Sequence, residues 1–292
     1  MMPEPDVCAK TLEPAPRLSL GDAWELARRR LPNEQISALN ELFDRGLSIT
    51  AVALRAFPER LLDAAQWQQL NLLLDRRAAG EPLAYVLGRR GFWSLDLEVD
   101  PSTLIPRVET ERLVELCLQR IPADAEWQLG DLGTGSGAIA LALARERPRC
   151  RVLGVERSLA ALQVAKRNAK AHRLQRVRWL AASWLQALAG QAFNLLVSNP
   201  PYIAASDSHL QQGDLRFEPR SALSAGEDGL DDIRQLVASA PRCLRPAGWL
   251  LLEHGWDQGE AVRQLLQAAG YIDVATEQDL ELRDRVSMGR RP

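Results

Sequence analysis

The stretch Trp127-Gln128-Leu129-Gly130-Asp131-Leu132-Gly133-Thr134-Gly135-Ser136-Gly137 passes from an apolar run into a glycine-rich one, and an alanine- and leucine-rich segment follows. It predicts a strand over Trp127–Asp131, a tight loop, and a helix over Gly137–Arg145. Glycines permit such a turn and leave the backbone bare, while a helix start offers unpaired N–H groups. Working outward, the same alternation continues. Strands are expected at Arg151–Glu156, Val177–Leu180 and Phe193–Ser198, with a helix at Leu159–His172. Further on come a helix from about Gly229 to Cys243, a strand Trp249–His254, a helix Gly259–Ala269, and closing strands near Ile272–Ala275 and Val286–Gly289. Alternating strands and helices predict an α/β fold with a mainly parallel sheet covered on both faces. Ligands of such folds sit at the carboxyl ends of the strands.

Upstream, the period changes twice. Residues 1–18 are proline-rich and aperiodic, which reads as a mobile tail. Residues 19–84 read as a small all-helical, substrate-positioning domain. Leu20, Trp24, Ala27 and Leu31 share one face, then Ile36, Leu39, Leu42 and Phe43 another before Gly46 closes the helix. Ser48 is placed to cap a third helix through Phe57, and a fourth runs from about Leu61 to Ala79, stopped by Gly80-Glu81-Pro82. Residues 85–106 alternate around Phe92, Trp93, Leu95, Leu97 and Val99, as a β-hairpin connector does. Leu104-Ile105-Pro106-Arg107 leads into a helix from Glu109 to Arg120, so the large domain spans 107–292.

With 292 residues, a formal net charge of −2 and 25% charged residues, the chain lacks the basic bias of a general nucleic-acid binder. No stable nucleic-acid binding is expected. Arg76-Arg77 and Arg89-Arg90 read as solvated faces. Cys8, Cys117, Cys150 and Cys243 have neither paired nor metal-like spacing, so no disulfide framework and no metal are predicted. Without a signal-peptide pattern or a membrane-length apolar run, the expectation is a cytoplasmic protein, taken as a monomer. The three histidines, His172, His209 and His254, leave little room for a His-centred mechanism.

The chemistry concentrates at the predicted strand ends. Glu156 closes the second strand, where a carboxylate can accept from both hydroxyls of a ribose. Gly133, Gly135 and Ala138 also satisfy Gly-x-Gly-x-x-Ala, so the loop by itself fits NAD and S-adenosylmethionine alike. The third strand ends near Ala181-Ala182-Ser183-Trp184, where a polar side chain or the indole meets an adenine, or the Trp is plain core. The fourth ends in Asn199-Pro200-Pro201-Tyr202. Read alone, that tetrapeptide is either a turn or a stiff clamp of carbonyl acceptors, an amide and an aromatic face for a planar nitrogen. A hydride-transfer site has no use for such a clamp, whereas an amino-methyl transferase does.

These residues resemble those of class I S-adenosylmethionine-dependent methyltransferases acting on planar nitrogens. More narrowly, the chain resembles the PrmC (HemK) family, which methylates a glutamine of peptide chain release factors. The likeness runs through Arg76 to Pro82, Phe92-Trp93, Leu104 to Arg107, the Gly133–Gly137 loop, Ser198 to Tyr202, Phe217-Glu218-Pro219, Gly226 to Leu230 and Leu251 to Gly255. It implies a Rossmann-like methyltransferase sheet and S-adenosylmethionine as donor, with S-adenosylhomocysteine as product. It further implies cofactor contacts from Asp131, Gly133, Thr134, Gly135, Ser136, Gly137, Glu156, Ser183, Trp184 and Asn199. The release-factor glutamine would meet Asn199, Pro200, Pro201, Tyr202 and Glu218, with Asn199, Pro200 and Tyr202 catalytic; for Glu218 a plain ion pair is the competing reading. Two positions depart from the family pattern: Val108 replaces a usual proline and Ser183 a usual acid. A ribosomal-protein glutamine methyltransferase and an exocyclic-amino methyltransferase of DNA or RNA are the alternatives.

Overall fold

The computed structural model describes residues 18–292 apart from 32, 34, 35 and 189. The tail expected over 1–18 therefore lies, except for Leu18, outside the described residues. The chain divides into two compact units, one ending at Leu87 and the other beginning at Gly88.

Among the described residues, the first unit holds five helices: α1 (Leu20–Arg30), α2 (Ile36–Leu47), α3 (Ala51–Ala56), α4 (Ala64–Ala78) and α5 (Leu83–Leu87). Leu20, Ala27, Leu39, Phe43, Leu70 and Leu74 form its core, with Trp24 tilted against Phe43 at a ring distance of 5.5 Å. Several expectations are corrected here. Gly46 is the penultimate residue of α2 rather than the stop after it, and a Cβ there would stand 2.5 Å from Leu73 Cδ1; the glycine serves packing. Ser48 takes the left-handed conformation (φ 57°) just past α2, so Thr50 caps α3 through Ala53 N–H. α4 starts at Ala64, after a capping box between Asp63 and Gln66. Nor is Arg76 a solvated charge: it pairs with Glu81 and donates to the carbonyls of Tyr85 and Val86 at 2.9 and 3.0 Å. Those are end carbonyls of α5, a helix that straddles the expected boundary between the helical domain and the hairpin at residue 85.

The second unit opens with an antiparallel hairpin, β1 (Arg89–Phe92) and β2 (Leu95–Glu98), followed by α6 (Glu109–Arg120). There follow β3 (Gln128–Leu132), α7 (Ala138–Glu146), β4 (Arg151–Glu156), α8 (Leu159–Ala171), β5 (Arg178–Ala181) and β6 (Phe193–Ser198). The chain closes with α9 (Asp231–Ser239), β7 (Leu244–Glu253), α10 (Gly259–Ala268), β8 (Ile272–Gln278) and β9 (Asp284–Arg290). The sheet order is β5-β4-β3-β6-β7-β9-β8, with β9 antiparallel to both neighbours. This is the expected mainly parallel α/β sheet.

Successive residues of one strand face opposite sides, and both sides are buried. Leu195 and Val197 of β6 join the layer of α6 and α7, whereas Leu196 joins that of α9 and α10. β7 does the same with Leu251 on one side and Leu250 and Leu252 on the other. Such continuous apolar strands mark a doubly covered sheet. Strand order reverses between β3 and β6, so the loops after β3 and β6 diverge and leave a crevice at their carboxyl ends. Among the described residues, no helix is long and apolar enough to cross a membrane, and no cluster suited to a metal occurs.

Candidate active site

Register puts the loops at one height. Leu132 of β3 pairs with Val155 of β4 and with Ser198 of β6, so the residues after each emerge side by side. Ser198 Oγ donates to Leu132 O at 2.6 Å, tying the ends of β3 and β6 together. The glycine loop folds back over β4, with Gly133 and Thr134 N–H groups both donating to Val155 O. Gly135 has φ 54° and no atom within 4 Å of where a Cβ would stand. That open side faces the crevice.

A cavity of about 1110 Å³, counting its open mouth, occupies this crevice. Gly133, Thr134, Gly135, Ser136, Glu156, Ser183, Trp184, Asn199 and Pro201 lie on its wall. Glu156 is held by backbone donors: Gly135 N–H at 3.1 Å and Ser158 N–H at 2.9 Å. Each carboxylate oxygen keeps further acceptor capacity. The Trp184 indole donates to Asp232 at 3.0 Å and its ring packs against Gly133, which fixes the wall at the end of β5.

Other sequence-predicted residues stand behind the wall. Asp131 is 1% exposed; one oxygen accepts from Thr134 Oγ1 at 2.5 Å and from Ala140 N–H at 3.0 Å, while the other has no partner. Burial pushes its carboxyl up to about 7. It shapes the loop from below. Gly137, at φ 87°, starts α7 behind the loop. Pro200 and Tyr202 are absent from the lining; Tyr202 turns its hydroxyl to Glu253 at 3.4 Å and packs on the α9 and α10 layer. Burial raises the Tyr202 pKa, so the phenol is neutral.

Glu218 makes two contacts within the fold. Its buried carboxylate pairs with Arg107 and accepts from Ile105 N–H at 3.3 Å, which clamps the Leu104-Ile105-Pro106-Arg107 segment along the cavity. The ion pair of the competing reading is present, and Glu218 is not among the residues on the cavity wall. Removing that pairing would leave a buried charge without compensation.

Sequence reasoning passed over Thr110. It sits in the first turn of α6, lines the cavity, and accepts from Asn199 Nδ2 at 3.1 Å. Its only sequence signal is a buried-type polar residue amid the charges of Glu109 and Glu111. Arg157 and Ser221 also line the cavity, joined by a bond from the guanidinium to Ser221 O at 2.9 Å. They lie 64 residues apart, beyond the reach of any local pattern.

The arrangement offers a glycine cradle, a carboxylate and an aromatic wall on one side, and an amide with its carbonyl oxygen unspent on the other. Comparisons with known proteins identify the family. Residues 110–215 match the model of the methyltransferase small domain, and residues 23–88 that of the PrmC N-terminal domain. A release factor glutamine methyltransferase of Xylella fastidiosa is 59% identical over 231 residues, covering 79% of this chain and 84% of the relative. One from Pseudomonas aeruginosa is 54% identical over 237 residues, covering 81% and 86%. Among solved structures, a methyltransferase from Pyrococcus furiosus shares the fold, with a TM-score of 0.53 at 16% identity over 74% of this chain and 96% of that one.

Proposed function

Since the chain belongs to the release factor glutamine methyltransferases and is a protein-glutamine N-methyltransferase, we propose a division of labour across its cavity. One half takes S-adenosylmethionine. In the other, Asn199 on the wall and the carbonyl of Pro200, next in the chain but outside the lining, hold the glutamine of the Gly-Gly-Gln motif of a peptide chain release factor. The observation that carries this reading is the commitment of Asn199 Nδ2 to Thr110, which leaves Oδ1 as the polar atom free to accept from an acceptor amide.

The residues present fit the cofactor. Bare backbone at Gly135 admits a ligand where a side chain would block it, the Glu156 carboxylate suits a ribose diol, and Ser183 and Trp184 suit an adenine edge and face. When bound, S-adenosylmethionine supplies a methyl group on a positively charged sulfur. A glutamine amide is a poor nucleophile because its lone pair is shared with the carbonyl. Asn199 Oδ1 and Pro200 O, each accepting one amide N–H, orient that nitrogen and offset the positive charge that grows on it. Orientation of this kind is worth up to about 7–11 kcal/mol of barrier in well-aligned systems. Pro200 and Pro201 keep the segment stiff. No general base is needed, since the extra proton departs to water after transfer.

A formal charge of −2 supports a protein acceptor over a nucleic acid, and a cytoplasmic monomer is part of the same proposal. The test is incubation with methyl-labelled S-adenosylmethionine and, in parallel, a release factor, ribosomal protein or nucleic acid. Label on the release-factor glutamine, mapped by mass spectrometry, is the expected outcome. Label confined to either of the other acceptors overturns the reading.

A further inference from the structure

Asp232 stands in the first turn of α9 and takes no part in the chemistry assigned above. Its Oδ1 accepts the Trp184 indole N–H at 3.0 Å, across 48 residues of chain. Trp184 has φ 48°, a left-handed conformation that bulky side chains seldom adopt and that persists where the surroundings over-determine it. Two contacts fix the ring. Asp232 holds its pyrrole edge, and its far edge lies over Gly133, where a Cβ would come within 2.9 Å of Trp184 Cζ3. The ring belongs at once to the apolar layer beneath α9 and to the cavity wall.

An indole has one polar hydrogen to give, and Asp232 takes it. Trp184 therefore meets a ligand by its carbon surface, which suits the face of an adenine and leaves the polar edge of the base to neighbours such as Ser183. Trp184 is 9% exposed, so without Asp232 its N–H would be a buried donor short of a partner, a costly state. The ring would then turn toward the water of the cavity to find one. A turned ring takes the space of the base.

We propose that Asp232 is a positioning residue for the cofactor: by holding the Trp184 indole it keeps the adenine space clear, so that S-adenosylmethionine affinity depends on it while the transfer step does not. This rests on the reading that Trp184 faces the adenine. The neighbouring acid serves a different end, since Asp231 pairs with Arg234 on α9 itself. An acid near a helix start also favours the helix by its charge alone. That role needs no indole, and the two are told apart by a side chain that keeps the acceptor oxygen and drops the charge.

The experiment measures KM for S-adenosylmethionine and kcat on a release factor, with S-adenosylhomocysteine affinity by calorimetry. Asp232→Ala should raise KM and weaken S-adenosylhomocysteine by about 10-fold each, within the range that stacking a base on an aromatic ring is worth. Its kcat at saturation should stay within about twofold of the parent. Asp232→Asn, which keeps an oxygen for the indole but not the charge that a helix start favours, should stay within about threefold of the parent in KM. In a Trp184→Phe background, where no N–H is left to hold, Asp232→Ala should bring no further loss. Asp232→Ser, well suited to a helix start but short of the indole, takes the place of the alanine variant if that one fails to fold. Parental KM and affinity in Asp232→Ala, a loss in kcat with KM unchanged, or an equal further loss in the Trp184→Phe background overturns the proposal. Should Trp184→Leu bind S-adenosylhomocysteine as the parent does, the adenine wall itself is what fails; should it bind weakly while Asp232→Ala binds as the parent does, only the positioning role does.

Discussion

The buried Asn168 side chain grips Glu98 by both of its backbone groups: Oδ1 accepts the Glu98 N–H at 2.7 Å and Nδ2 donates to the Glu98 carbonyl at 2.9 Å. The same Nδ2 donates to Ser136 O at 2.9 Å, so α8 fastens the end of the hairpin to the glycine loop. Asn168→Ala would leave three backbone groups without these partners, one buried and two part-buried, each costing up to about 1–3 kcal/mol. We expect a loss of about 3 kcal/mol or more by urea unfolding, and weaker cofactor binding through the freed Ser136. A loss within 0.5 kcal/mol, roughly the scale of an innocuous surface change, would mean that water replaces these bonds.

In the proposed reading, Glu156 acts on the cofactor side of the cavity. Its carboxylate already bridges Gly135 and Ser158 N–H, and charged hydrogen bonds are worth about 1.5–3 kcal/mol each. Glu156→Ala should therefore weaken S-adenosylmethionine binding by about 10- to 100-fold in calorimetry. Undiminished affinity would remove Glu156 from the ribose role.

Asn199→Ala separates binding from transfer. The variant keeps the glycine cradle and Glu156, so cofactor affinity should stay within a few-fold of the parent. Methyl transfer to a release factor should fall by about 10²–10³-fold, the cost of losing one preorganised polar group. Retained turnover would sink the clamp.

Local period accounts for what was legible beforehand. β4, β6 and α6 begin and end where their apolar runs and charges do, and the glycine loop with Glu156 and Asn199 converges as strand alternation requires. What escaped depends on partners distant in sequence or on competition between neighbours. Glu218 meets Arg107 across 111 residues, and Thr110 meets Asn199 across 89. Ser48 and Thr50 are both plausible caps, and only the left-handed turn at Ser48 decides between them. β7 starts at Leu244, five residues early, because Phe193 pairs there across a register shift, despite Pro246. Glu253 carried one signal of its own: a charge closing the apolar run Trp249 to Leu252, in a strand buried on both faces.

Asp131 supplies a stability test whose sign follows from its burial. Its folded-state carboxyl is raised from an ordinary 3.8 to about 7, chiefly by burial, with Glu156 adding to the rise. One oxygen has no partner, so ionisation is poorly compensated. The folded chain thus holds a proton that the unfolded chain has released between about pH 4 and 7, and stability from this group falls as pH rises through that window. At about 1.4 kcal/mol per pKa unit, the cost above neutrality is on the order of 4 kcal/mol. Asp131→Asn removes the charge but keeps the shape and an acceptor for Ala140 N–H. Relative to the parent, that variant should gain stability between about pH 5 and about pH 8 in paired urea titrations. A relative loss over the same interval would mean that the loop stabilises the carboxylate more than burial penalises it.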